Sequence, residues 1–275
     1  MSSSKIVVVT GANKGIGKAI VESLLEKLQK SVIYLTARDE SRGQAATTEI
    51  TASSKTSTAS NELRFHQLDI TDNNSCKTFA DYIQNTHQGL DILINNAGIM
   101  FSNDAPESAE EQAEVTIGIN YYGTKLISSH LLPLIRKDGR IVNICSSLGV
   151  MKKRYSEERI KQLTTAKTME EIDEFVEEYK RHAKDNTRKQ AGFPESAYQV
   201  SKSAEIALTL LYAKELEAKG VIVNACCPGY VATDMTHHKG YLTVEQGADT
   251  PVYLAIDPNP PNASFVYQRK VTNWY

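Results

Sequence analysis

The chain has 275 residues, 41% hydrophobic and 23% charged, an ordinary balance for a globular protein with a sizeable core. Its 31 basic and 33 acidic residues leave a formal net charge of −2, so no global field recruits nucleic acid or an anionic membrane. Apolar runs such as 206–213 fall far short of the ~18 residues that argue for a membrane helix. Residues 6–9 are too short for a secretory signal core, and Asn273-Trp274-Tyr275 matches no retention or peroxisomal address. Cys76, Cys145, Cys226 and Cys227 form no CxxC and no framework spacing, which predicts a reduced, cytoplasmic protein in which the sequons at Asn73 and Asn262 carry no weight.

In chain order, residues 5–10, 31–35, 63–68, 91–94, 140–144 and 221–225 read as strands, and their near-continuous apolar character suits parallel strands buried on both faces. Helical patterns lie between them; Ile16, Ile20, Leu24 and Leu28 recur every four residues as one apolar stripe. Sustained alternation predicts one α/β domain over 1–275, a doubly wound parallel sheet flanked by helices. There is no internal repeat. Residues 51–61, rich in Ser and Thr, are expected to be a solvated loop. The highly charged segment 151–192 contains Thr168-Met169-Glu170-Glu171, which fits a capping box. Ile172, Phe175, Val176 and Tyr179 follow at helical spacing, so an amphipathic helix should pack there on the rest of the domain.

Several motifs carry chemistry. The first strand runs into Thr10-Gly11-Ala12-Asn13-Lys14-Gly15-Ile16-Gly17, where glycines permit a tight turn and close approach to a pyrophosphate at a helix N-terminus. The spacing is GxxxGxG rather than GxGxxG. About 20 residues on, where such folds read the adenosine ribose, stands Arg38, with Asp39 beside it and Arg42 following. With Lys14 these cations suit a ribose 2′-phosphate; alternatively Asp39 is the acid that reads an unphosphorylated ribose, with Arg38 in solvent. Asn95-Asn96-Ala97-Gly98 ends the fourth strand, and Cys145-Ser146-Ser147-Leu148-Gly149 ends the fifth. Tyr198 and Lys202, at i and i+4, share one face of a helix. An ammonium there, together with an oxidised nicotinamide, would lower the phenol pKa and make it a better acid toward a ketone, whose oxygen Ser146 could also bind. His237-His238 has no third ligand and is not expected to hold a metal.

Taken in order, these motifs resemble the short-chain dehydrogenase/reductase family over nearly the whole chain: TGANKGIG at 10–17, NNAG at 95–98, Asn120, Ser146, YxxxK at 198–202 and Pro228-Gly229. The resemblance implies a Rossmann-type sheet of about seven strands and a Ser146–Asn120–Tyr198–Lys202 tetrad. It selects Ser146 over Ser147 because two residues and a glycine follow it. It makes Tyr198 the proton donor, Lys202 the group that holds the nicotinamide ribose and depresses the Tyr198 pKa, and Asn120 the anchor of a proton-relaying water. It further implies NADP contacts from Gly11, Asn13, Lys14, Gly15, Ile16, Gly17, Arg38, Arg42, Asp69, Ile70, Asn96, Ala97, Gly98, Pro228, Gly229, Val231 and Thr233, and substrate contacts from Tyr230, Met235 and Cys227. Insertion 151–192, LTARDxxRG at 35–43 and CCPGYVATDM at 226–235 are similar to the family's monomeric cytosolic carbonyl reductases, which use NADPH to reduce quinones, aldehydes and ketones. Tyr230 and Ser147-Leu148 depart from that group near the pocket. Cys227 reads either as a small packing residue or as a neighbour of glutathione-bearing substrates. The other readings are a reductase dedicated to one pterin, steroid or alkaloid ketone, and a non-catalytic NADP sensor. The insertion is expected to cover the surface through which relatives oligomerise, leaving a monomer.

Overall fold

In a computed structural model describing residues 4–53, 61–102 and 104–275, the apolar runs join one sheet. The first half of the chain supplies β1 (Lys5–Val9), α1 (Gly15–Lys27), β2 (Ser31–Ala37), α2 (Glu40–Ala52), β3 (Glu62–Gln67), α3 (Asn73–His87) and β4 (Leu90–Asn95). Next come α4 (Ala109–Ile117), a π turn (Gly118–Gly123), α5 (Thr124–Leu131) and β5 (Ile135–Ile144), then α6 (Glu157–Thr164) and α7 (Met169–Lys184). The chain closes with α8 (Ala197–Glu215), β6 (Ile222–Cys227), α9 (Val244–Ile256), β7 (Ser264–Tyr267) and β8 (Lys270–Val271).

The order is β3-β2-β1-β4-β5-β6-β7-β8, parallel throughout except for the β7–β8 pair. The sheet thus has eight strands, not about seven: a two-residue antiparallel return, too short to show a pattern in sequence, adds the last. β7 is a four-residue strand that apolar runs alone did not reveal. Successive side chains point to opposite faces. Val7 and Ile33 join Ile20, Leu24 and Val252 in one core, and Val8 and Tyr34 join Phe79, Tyr121, Val200 and Ile206 in the other.

The loop expected at 51–61 is corrected at its start, because α2 continues through Thr51 and Ala52. The hydroxyls of Thr47, Thr48 and Thr51 donate to carbonyls four residues back, at 2.9, 3.0 and 2.8 Å, so hydroxyl-rich sequence coexists with helix. Residues 54–60 lie outside the described residues.

The charged segment 151–192 forms α6 and α7. Both halves of the capping box are present: Thr168 Oγ1 accepts from Glu171 N at 3.3 Å, and Glu171 Oε2 accepts from Thr168 N at 3.4 Å. Ile172, Phe175, Val176 and Tyr179 are fully buried. Phe193 packs edge-on against Phe175 and Tyr179, with ring centroids 5.1 and 5.6 Å away, and Arg159 lies over it while forking onto both Glu178 oxygens at 2.6 Å. α7 lies against α4 and α8. Its polar edge reaches the π turn, where the Tyr121 and Tyr122 hydroxyls donate to Asp173 and Glu177, each at 2.8 Å. The insertion is therefore part of the wall behind Asn120. Phe175→Ala should lower unfolding free energy by roughly 3–5 kcal/mol, the usual effect of emptying a buried aromatic site. Chemical denaturation checks this; a loss below about 1 kcal/mol would mean that α7 is only loosely docked.

Candidate active site

β1 has β2 on one side and β4 on the other, so the strand order reverses beside its carboxyl end and opens a crevice there. Hydrogen bonds hold the two diverging strand ends together. Asn96 Nδ2 donates to the carbonyls of Thr10 and Gly11, both at 3.0 Å, and Thr10 Oγ1 accepts from the amides of Asn96 and Ala97 at 3.0 Å. This packing explains two of the glycines. Gly11 has φ +60°, and a Cβ on it would stand 2.8 Å from Ala97 Cα; a Cβ on Gly17 would stand 2.4 Å from Asn96 Nδ2. Asn13, Gly15 and Ile16 complete the turn into α1.

That turn fits an anionic ligand. α2, α3, α4, α6, α7 and α9 each have a side chain accepting from a first-turn amide; α1 has none, and no acidic residue in its first turn. The first turns of α5 and α8 likewise lack a side-chain cap, and that of α1, at the crevice, leaves amides and a positive dipole end suited to an anion. The segment after β6 closes the other side. Thr233 lies 3.5 Å from where a Cβ on Gly15 would be, Lys14 pairs with Asp234 at 2.6 Å, and Val231, beyond Pro228-Gly229, is buried. Lys14 thereby ties the glycine turn to the segment after β6.

At the ribose end, Arg38 and Arg42 are exposed at the carboxyl end of β2. Asp39 caps α2, accepting from Arg42 N at 2.9 Å and Ser41 Oγ at 2.7 Å, and these bonds hold its carboxyl below the usual range. Asp69 accepts from Thr71 N and Oγ1, at 2.9 and 2.7 Å, while Ile70 is buried against Gly123.

The remaining groups converge beyond β4 and β5. Asn120 sits in the π turn, a wider coil that often marks a functional site, and is fully buried. Its Oδ1 accepts from Ile99 N at 2.8 Å, and its Nδ2 donates to Ile99 O and Ser201 Oγ at 2.9 and 3.0 Å. Ser146 follows β5; its hydroxyl accepts from Leu148 N at 3.1 Å and acts on the Tyr198 phenol to favour its ionised form. Lys202 lies one turn along α8, its Nζ 5.7 Å from the Tyr198 ring centroid and donating to Ile144 O at 2.9 Å. A Cβ on Gly98 would be 3.1 Å from Asn120 Oδ1 and 3.6 Å from Lys202 Nζ, so this glycine keeps the space between them open.

Glu205 was not singled out in sequence. Its Oε2 lies 2.6 Å from Lys202 Nζ, and the two side chains are only 1% and 5% exposed. The sequence signal was an acid three residues after Lys202 on the apolar side of the helix, among Ala204, Ile206 and Ala207. The Tyr198 phenol is held above its ordinary value, mainly by burial and further by Glu205, against downward pulls from Lys202 and Ser146. The simple expectation of a lowered phenol pKa is therefore not met by these residues alone. A second unforeseen feature is a buried polar ladder behind the site: Asn95 Nδ2 donates to Asn143 Oδ1, and Asn143 Nδ2 to Thr209 Oγ1, both at 2.8 Å.

Tyr230 and Met235 are exposed at the rim, with Tyr230 edge-on to Tyr241 at 6.0 Å. Cys227 is only 3% exposed, and its Sγ accepts from Gly229 N at 3.4 Å, which favours its reading as a packing residue. Among the described residues no three His, Cys, Asp or Glu side chains gather as a metal site, and no helix is long and apolar enough to cross a membrane.

Comparison with known proteins accords with this geometry. The family model described as short chain dehydrogenase matches residues 5–158 and 186–241, and its gap coincides with α6 and α7. The chain is 39% identical to carbonyl reductase (NADPH) 3 of Mus musculus, over 99% of each protein. Among solved structures, salutaridine reductase from Papaver somniferum superposes with a TM-score of 0.85 at 32% identity, covering 96% of this chain and 99% of that one. Menthone neomenthol reductase from Mentha piperita gives 0.81 at 28% identity, covering 98% of this chain and all of the other. The protein belongs to the short-chain dehydrogenase family.

Proposed function

We propose that the chain is a cytoplasmic NADPH-dependent carbonyl reductase that converts quinones, aldehydes or ketones to alcohols. The observation that carries this reading is the Tyr198 phenol with the Lys202 ammonium one helical turn away, 5.7 Å from its ring centroid, beside a crevice with an uncapped helix. A non-catalytic sensor would need the crevice but not an acid aimed into it. The likeness to carbonyl reductase (NADPH) 3 supports both the nucleotide and the substrate class.

NADPH, when bound, supplies the hydride. The amides of Gly15, Ile16 and Gly17 would hold its pyrophosphate, Arg38 and Arg42 its 2′-phosphate, and Asp69, Ile70 and Ala97 the adenosine. Lys202 has three donors; Ile144 O takes one and Glu205 holds the charge, and the ammonium would also hold the nicotinamide ribose. Val231 and Thr233 would line the nicotinamide side. Ser146 steadies the carbonyl oxygen, and Tyr198 gives it a proton as negative charge builds there. Tyr230 and Met235 would shape the entrance. The likeness to salutaridine reductase favours a second reading, an enzyme dedicated to one ketone. Buried Cys227 offers little to glutathione conjugates, which remain a secondary candidate. With α7 lying over α4 and α8, we read the protein as a monomer.

Tyr198→Phe should leave NADPH binding intact and lower kcat by about 10²–10⁴, the usual contribution of a positioned acid. Lys202→Ala should lose both turnover and nucleotide affinity. Steady-state kinetics with fluorescence titration of NADPH reads both; a Tyr198→Phe variant keeping more than about a tenth of kcat would place the proton donor elsewhere.

Arg38→Ala should raise KM for NADPH roughly ten- to a hundredfold, corresponding to about 1.5–3 kcal/mol for a charge-assisted phosphate contact, and leave NADH nearly unaffected. Equal kcat/KM for the two nucleotides in the unmodified protein would remove the phosphate from the account.

A further inference from the structure

Lys202 is a cation inside the protein, and the structure shows what balances it. One turn along α8, the Glu205 carboxyl lies 2.6 Å from its ammonium, and both side chains are almost wholly buried. Glu205 Oε1 also accepts a long hydrogen bond from Thr124 Oγ1 of α5, at 3.4 Å. Its Oε2 has no hydrogen bond of good geometry, so the ion pair is the main contact of that oxygen. Burying a carboxylate is costly unless a charge answers it. A neutral residue of similar size would have filled the space without that cost.

We propose that Glu205 is a positioning residue that holds the Lys202 ammonium and, through its own charge, sets how readily the Tyr198 phenol gives up its proton. The proposal rests on the reading of Tyr198 as proton donor. When Glu205 is an anion, its pair with Lys202 is close to neutral, and the pull of the ammonium on the phenol is largely offset. When Glu205 takes a proton, the ammonium acts alone and favours the phenolate, so Tyr198 becomes the stronger acid.

Burial raises the Glu205 carboxyl above the usual carboxylate range, outweighing the opposing pulls of Lys202 and Thr124. The change of state therefore falls at a higher pH than that of an exposed carboxylate. The groups facing the pair are Tyr198 on the same helix, Thr124 from α5, Cys145 just after β5 and Cys226 of β6, with Cys227 at the end of β6 facing Tyr198. Cys145 is kept neutral by burial. The carboxylates of Asp173 and Glu215 act on Tyr212, further along α8. The sign follows: as pH falls through the Glu205 ionisation, Tyr198 becomes more acidic and carbonyl reduction should speed up.

The test is the ionisation of Tyr198 itself, read by NMR on nucleotide-free protein carrying 13Cζ-labelled tyrosine, with the signal assigned by its loss in Tyr198→Phe. In Glu205→Gln, which keeps the shape and removes the charge, the phenol midpoint should fall by roughly one unit or more. Midpoints agreeing within about 0.3 unit would overturn the proposal. Should Glu205→Gln fail to fold, the unmodified protein decides: the Tyr198 signal must shift as Glu205 ionises above the usual carboxylate range, and a signal flat between about pH 5 and 9 overturns the coupling. Because this readout uses neither nucleotide nor substrate, its failure is distinct from failure of the reductase reading. That reading fails if the unmodified protein reduces no carbonyl while the coupling is intact.

Discussion

An ammonium cannot lie inside a protein without charge or dipoles to answer it, and the arrangement at Lys202 meets that requirement from two directions. The last carbonyl of β5 accepts from it and Glu205 pairs with it, while Gly98, beyond β4, leaves open the space between it and Asn120. The cation thereby ties α8 to the end of β5. Tyr198, one turn back on α8, inherits its position from this anchoring. The insertion helix α7 supports the site from behind, since Asp173 and Glu177 hold the two tyrosines that follow Asn120 in the π turn.

The opposite wall of the crevice is organised by backbone rather than by charge. Asn96 binds the end of β1 to the end of β4, and the space this leaves admits no side chain at Gly11 or Gly17. The first turn of α1 is left without a side-chain cap, whereas most other helices of the chain have one. One wall thus presents uncapped amides and the other the Tyr198 phenol with the Lys202 ammonium. A nucleotide lying between them would meet binding at one end and chemistry at the other.

Much of this was legible in sequence because it is local. The glycine turn, the YxxxK pair and the Thr168–Glu171 capping box depend on spacings within one or two turns, and such spacings survive folding unchanged. The apolar stripe of α7 was likewise readable, because a helix carrying Ile172, Phe175, Val176 and Tyr179 on one side has to bury them. Other features depend on partners distant in sequence. Asn143 reads as an ordinary strand residue until Asn95 and Thr209 are brought to it. Glu205 stands on the apolar side of its helix, but its pairing with Lys202 and its enclosure beside Thr124 of α5 become visible only in the fold. Asp39 could stand for either nucleotide preference from its position alone; its role as the cap of α2 emerges only from the hydrogen bonds. The hydroxyl-rich end of α2 misled for the converse reason, since its threonines satisfy themselves within the helix.

The most direct measurement of the central claim is reaction stoichiometry. The purified protein is mixed with NADPH and a simple quinone or aromatic aldehyde, and nucleotide loss at 340 nm is compared with the product resolved by chromatography. The account predicts one equivalent of hydroquinone or alcohol for each NADPH consumed. Binding of NADPH without consumption across a panel of quinones, aldehydes and ketones would contradict it and leave a nucleotide-binding protein without reductase chemistry.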